Sequence, residues 1–440
     1  MPEKKVMNRN FVVFGAILIQ LCLGAIYAWS VFTKKVTLAL ADGGEYGFTA
    51  TQAAWVFSAG LAAFAVVMVL VGPWAKKEPR KATMLGGAIL GLGYVLGGFL
   101  GNSFIAQFIC IGLIGGAGIG IAYVVPIAVG LKWFPDKKGM IAGLGVAGFG
   151  FGATLWVKLA GSWFGGLLNT TSLFGLPGVQ SVFIIYGIIF FLVVLLGSIV
   201  MVDPPVGYKP KGWEQKESTA KDPTTKSLEF NSKEMLKTPQ YFMLLFMFIG
   251  SALAGLMVIY CIRLFGVDAL QASGFAKNAE LAGIIAGTAM AFYAIFNGLG
   301  RIIWGIVSDK IGRKMALFLM FLIQGIMMLL FIKVGGSKTG LIIGASLIGF
   351  NFGGNFALFP AITSDFFGLK NLGPNYGWVF LAYGVAGIAG PQVAGYFKDI
   401  AIKSGGGVDT WSTPFIIAGV ACLISAALAI FVKPPKHKIA

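Results

Sequence analysis

Within residues 281–308, LAGIIAGTAMAFYAIFNGLGRIIWGIVS, Arg301 is the one formal charge, and Thr288, Asn297 and Ser308 are the small polar residues. A guanidinium keeps its proton in any protein environment, so its place in such a run calls for a partner of opposite charge. Asn297 lies four residues earlier, one turn along a helix and on the same face. A fixed cation with an amide beside it suits a carboxylate, which would take paired hydrogen bonds from the guanidinium and one orienting donor. The competing reading is a structural arginine tied to a helix end or a backbone carbonyl. Eight residues further on, the chain reads GIVSDKIGRK (305–314), where Asp309 and Arg313 can clasp the ends of neighbouring helices and act as a gate. At 1.5 Å per residue Arg301 sits about 12 Å inside that exit, near the middle of a hydrocarbon layer roughly 30 Å thick.

The elements that hold these residues follow from composition. The chain of 440 residues is 57% hydrophobic and 12% charged, about half the roughly 25% charge of a soluble domain. Apolar windows predict twelve membrane helices at about 10–32, 50–74, 82–100, 104–131, 139–163, 181–202, 240–265, 281–308, 315–332, 339–362, 373–397 and 411–432. The sixty-four glycines fit close helix packing and argue against a barrel. The expected fold class is an all-α membrane protein. With twelve spans both termini share a side, and that side carries 24 of the 34 Lys and Arg, against 9 opposite and Arg301 between. This asymmetry predicts cytoplasmic termini and explains the net charge of +17 without nucleic acid.

The segment 203–239 is the one long polar stretch, rich in Lys, Glu, Pro and Ser/Thr, and it separates six-helix units at 1–202 and 240–440. The units echo one another. GPWAKKEPRK (72–81) mirrors GIVSDKIGRK, though its acid is displaced to Glu78 and it lacks the aspartate. A six-helix unit repeated in one orientation is the mark of a transporter with two bundles around a central site.

With GIVSDKIGRK and this layout the whole chain resembles the major facilitator superfamily. GAIYAWSVF (24–32), GIGIAYVVP (118–126), KWFPDKKGMIAGLGVAGFGFG (132–152), FNGLGRIIWGIVSDKIGR (296–313), GGNFALFPAITSDFFG (353–368) and NYGWVFLAYG (375–384) resemble a narrower group. That group is the oxalate/formate antiporter family, related to the monocarboxylate (lactate/pyruvate) transporters. The resemblance implies that Arg301 binds the transported anion. Oxalate-handling members carry a lysine where Tyr383 stands; one cation with a phenol suits a monoanion, two cations a dianion. Related monocarboxylate porters place a carboxylate where Asn297 stands, so no proton site is evident here. Tyr27, Tyr123, Phe149, Phe352, Phe356, Phe380 and Tyr383 are expected to complete the cavity, made drier by phenylalanines at positions that are tyrosine or tryptophan in oxalate transporters.

The expected function is secondary transport of a small monocarboxylate of the lactate, pyruvate, acetate or formate type across the cytoplasmic (inner) membrane, coupled to a proton or to anion exchange. The alternative is oxalate/formate antiport, and an anion channel is less favoured because one arginine among aromatics suits occlusion better than a charged open ring. The scarcity of intramembrane Asp, Glu and His leaves no acid–base pair for an enzyme, and neither cofactor nor metal is expected. The single histidine, His437, reads as a solvated tail residue. GLGVAGFGFG (143–152) lacks the strand and Lys-Ser/Thr of a phosphate loop. Lys158 and Arg263, near outer helix ends, read as snorkelling side chains. The partners are the anion, the bilayer and possible protons, and the chain is read as a monomer.

Overall fold

The computed structural model describes residues 7–205, 207–210, 229–404 and 407–435. Most of the polar segment and His437 lie outside them. Twelve helices are long and apolar enough to span a bilayer: α1 (Asn10–Thr33), α2 (Thr51–Lys77), α3 (Pro79–Leu100), α4 (Phe104–Trp133), α5 (Lys138–Gly161), α6 (Gly178–Ser198), α7 (Pro239–Ala272), α8 (Ala279–Ile311), α9 (Arg313–Val334), α10 (Lys338–Phe367), α11 (Leu372–Phe397) and α12 (Val408–Phe431). The chain is a multi-pass, all-helical membrane protein, with no strand among the described residues.

Several helices outrun the lengths expected from hydropathy. Helix α7 continues to Ala272 and α10 to Phe367, because polar residues past the hydrocarbon still support a helix. Asp268, in the added stretch of α7, accepts from the Trp411 indole N–H at 2.9 Å. The Thr238 side chain caps α7, with Pro239 in its first turn, and Asn278 caps α8 by accepting from Leu281 N. Two spans are locally irregular: α1 tightens to a 3₁₀ turn at Gly24–Ala28, and α4 widens to a π-helix at Phe108–Gly115. At the end of the polar segment, Ser232–Met235 forms one helical turn held by an Asn231–Glu234 capping box.

Helices α1–α6 pack among themselves, as do α7–α12, and the two sets meet where α5 runs against α8 and α10, and α2 against α11. The face on which Asp203 and the Ser232–Met235 turn lie, called here the linker face, is shut. Gly305 of α8 and Gly139 of α5 approach so closely that a Cβ on Gly305 would lie 2.3 Å from the Gly139 carbonyl oxygen. On the other contact, Lys76 Nζ donates to Asn371 Oδ1 at 2.7 Å. The opposite, far face is open. A cavity of about 520 Å³ is lined by the far-face halves of α1, α2, α5, α7 and α8.

Candidate functional site

Helix α8 brings Tyr293, Asn297, Arg301 and Gly305 onto one face at four-residue spacing. Tyr293 and Asn297 line the cavity, and Arg301 lies beneath, fully buried. Asn297 Oδ1 accepts from Arg301 Nε at 3.3 Å and Nη2 at 3.1 Å, while Nη1 donates to the Val146 carbonyl of α5 at 2.9 Å. Among the described residues no carboxylate lies within ion-pair distance of this cation. Of its five N–H donors three make these hydrogen bonds, the Tyr27 and Tyr123 hydroxyls lie beside it, and two aromatic faces flank it. The guanidinium carbon stands 4.1 Å from the Phe356 ring centre and 5.2 Å from that of Phe149.

The other expected residues converge here, from both halves. Tyr27 of α1 packs edge-on to Phe149 of α5 at 5.1 Å, and Tyr123 of α4 packs on Phe149 at 5.5 Å. Across the interface Phe352 and Phe356 of α10 pack at 5.2 Å, and Phe380 and Tyr383 of α11 at 4.8 Å. The Tyr27 and Tyr383 hydroxyls are 2.6 Å apart and join the halves directly. The aromatics expected to complete the cavity divide into two groups. Tyr27 reaches the cavity, whereas Tyr123, Phe149, Phe352, Phe356, Phe380 and Tyr383 form a closed cluster around Arg301, each at most 1% exposed. Helix α5 packs directly on α8 and α10 here, and the rings fill the space between them. The Tyr123 hydroxyl is buried there beside the Arg301 guanidinium, without a hydrogen-bond partner of good geometry.

Sequence reasoning passed over two positions, Phe64 and Tyr293. Phe64 of α2 touches Tyr123 at 4.9 Å, Phe380 at 4.8 Å and Tyr383 at 5.7 Å, yet nothing local separates it from the other 37 phenylalanines. Tyr293 was legible, being one turn before Asn297 on the arginine's face. Lys158 and Arg263 do not simply snorkel at helix ends: both line the cavity.

The charged pair at the α8 exit engages the opposite half. Asp309 Oδ1 accepts from Gly139 N at 3.0 Å and Oδ2 from Met140 N at 2.9 Å, so its carboxylate caps the first turn of α5. Arg313 bridges Asp309 at 2.7 Å and Asp365 at 3.0 Å, and Lys138 of α5 reaches Asp365 at 3.1 Å. The N-terminal copy is unlike it. Glu78 pairs locally with Lys81 at 3.3 Å, and Lys76 crosses to Asn371, just before α11.

Two packed helical sets, a cavity between them and a buried cation beneath it are the arrangement of a membrane transporter. The chain belongs to the Major Facilitator Superfamily, whose sequence profile matches residues 10–287 and 272–440. It is similar to the uncharacterized MFS-type transporter YhjX of Escherichia coli K12, 28% identical over 391 residues and 88% of each chain. It is also similar to the oxalate:formate antiporter of Oxalobacter formigenes, 27% identical over 434 residues, covering 97% of this chain and 92% of that one. With the apicoplast pyruvate carrier 1 of Toxoplasma gondii it shares 24% identity over 441 residues, 84% of this chain and 80% of the carrier.

Proposed function

We propose that the protein carries a small monocarboxylate across the cytoplasmic membrane by alternating access, with Arg301 as the anion-binding residue and the linker face cytoplasmic. The observation that carries this reading is a fully buried guanidinium with no carboxylate partner among the described residues, set beneath a cavity open to one face. A charge at that depth costs at least about 2.5–3.5 kcal/mol, and an incoming carboxylate offsets the cost. Asn297, the Tyr27–Tyr383 hydroxyl pair and the Tyr123 hydroxyl supply polar contacts, and Phe149, Phe352, Phe356 and Phe380 shape an apolar end. The six-helix units 1–202 and 240–440 rock about this point. Because an empty buried guanidinium resists occlusion, exchange of one carboxylate for another should outrun net flux, unless a proton accompanies the substrate.

The likeness to an oxalate:formate antiporter gives the second reading its weight. Against it stands the site's charge: one cation and a phenol at Tyr383, where a dianion would call for two cations. Proteoliposomes loaded with unlabelled substrate and offered labelled acetate, L-lactate, formate or oxalate decide between them. At least one monocarboxylate should be taken up and should resist tenfold excess oxalate; oxalate outcompeting every monocarboxylate would refute the single-charge assignment.

Asp309 and Arg313 are proposed to hold the linker face closed. Charge-assisted hydrogen bonds of the Asp309 kind are worth about 1.5–3 kcal/mol. Asp309→Asn keeps the shape and loses the charge, so the closed population should fall about tenfold relative to the alternative opening. The readout is labelling of a cysteine at Val146, buried in this state, by a membrane-impermeant maleimide from the linker face. Labelling no faster than in the parent would exclude the gating role.

A further inference from the structure

Lys158 and Arg263 are the charged residues lining the far-facing cavity among the described residues, and no described lining residue is an acid. They come from opposite halves, Lys158 from α5 and Arg263 from α7. Neither makes an ion pair among the described residues. Lys158 lies eight residues beyond Gly150, which packs against Asn297 and Gly298 at the cavity floor. That separation is about 12 Å along the helix axis, so these cations stand well above Arg301. The surrounding wall adds the hydroxyls of Thr33, Thr37 and Thr154, and the Thr154 Oγ1 is buried without a partner.

From this geometry we infer that Lys158 and Arg263 form an outer anion-capture site for small carboxylates, separate from Arg301. The inference deepens the carrier reading and rests on it for the identity of the anion. A cleft lined by one sign of charge, with apolar walls, concentrates counter-ions and raises their rate of entry. The Thr154 hydroxyl, which has no partner, can donate to an anion held between the two cations, whereas Thr33 and Thr37 already donate to the Trp29 and Thr33 carbonyls. One cation rides on each half, so an anion between them also reduces the repulsion met when the far face closes.

The test uses the full chain in proteoliposomes, with Ala291→Cys as a reporter in the cavity wall; the four native cysteines are buried. Its modification is timed with an anionic sulfonate and a cationic trimethylammonium methanethiosulfonate reagent. Taking the ratio of the two rates cancels any change in the thiol's own reactivity. The anionic-to-cationic ratio should fall about tenfold in Lys158→Gln/Arg263→Gln, and fall also in the parent when salt is raised. A ratio unchanged within twofold overturns the inference and leaves the Arg301 site untouched. Acetate or formate should slow the anionic reagent in the parent and not in the double variant; no protection overturns the carboxylate assignment. For uptake from the far face, KM should rise at least fivefold with the larger share of the loss in KM rather than in the saturating rate, and an unchanged KM would count against capture. Arg301→Lys separates the two sites: if it abolishes uptake while the reagent ratio holds, capture and transport are distinct steps.

Discussion

Arg301→Lys should lower carboxylate uptake into proteoliposomes at least about 100-fold, although it keeps the positive charge. The guanidinium spans two helices, with Nη1 on the Val146 carbonyl and Nε and Nη2 on Asn297. A single ammonium cannot hold that fork and present paired donors to a carboxylate as well. Losing one charge-assisted pair at about 3 kcal/mol corresponds to the stated factor. Arg301→Met should be equally inactive and yet fold. It removes a buried charge lacking a carboxylate partner, which favours stability, while leaving the Asn297 and Val146 oxygens short of donors, which opposes it. A melting temperature within a few degrees of the parent, together with absent uptake, is the expected pair of results. Uptake within twofold of the parent in Arg301→Lys would remove the arginine from the anion site.

The second large effect is expected at a residue with no side chain. Gly305→Ala puts a Cβ 2.3 Å from the carbonyl oxygen of Gly139 and 2.9 Å from its carbon. Both contacts are backbone, so no rotamer change relieves them, and α5 and α8 must separate. Overpacking of this kind costs about 1–3 kcal/mol or more, and the penalty falls only on the state with the linker face shut. The conformational balance should shift at least tenfold toward the opposite opening. A cysteine at Ala294, which lines the far-facing cavity, should then react at least tenfold more slowly with an impermeant reagent, while the Val146 reporter on the linker side reacts faster. Gly139→Ala, whose Cβ would lie 2.5 Å from the Gly305 carbonyl oxygen, should behave alike. Unchanged reactivity at both reporters would mean that these glycines do not set the balance.

The gate contacts also separate the two copies of the repeat. GIVSDKIGRK places a carboxylate against two backbone N–H groups of α5, and GPWAKKEPRK turns Glu78 back on Lys81. The displaced acid was visible in the sequence, and its local pairing is the consequence. The closed linker face therefore depends on Asp309 at one contact and on an uncharged acceptor, Asn371, at the other.

Hydropathy alone determined the twelve spans, because a bilayer demands a run of apolar residues whatever packs around it. Four-residue spacing determined that Asn297 and Arg301 share a face, and the isolation of Arg301 in residues 281–308 marked it for attention. Helix ends were less legible, since α7 and α10 continue into polar residues that hydropathy scores as loop. Only the tertiary structure decided which face is open, that Val146 meets the guanidinium, that Phe64 joins the aromatic cluster, and that Lys158 and Arg263 share one cavity. Each of these is a contact between helices far apart in the chain. Periodicity encodes the face a helix presents, and the neighbour that face meets is set by how two six-helix units dock.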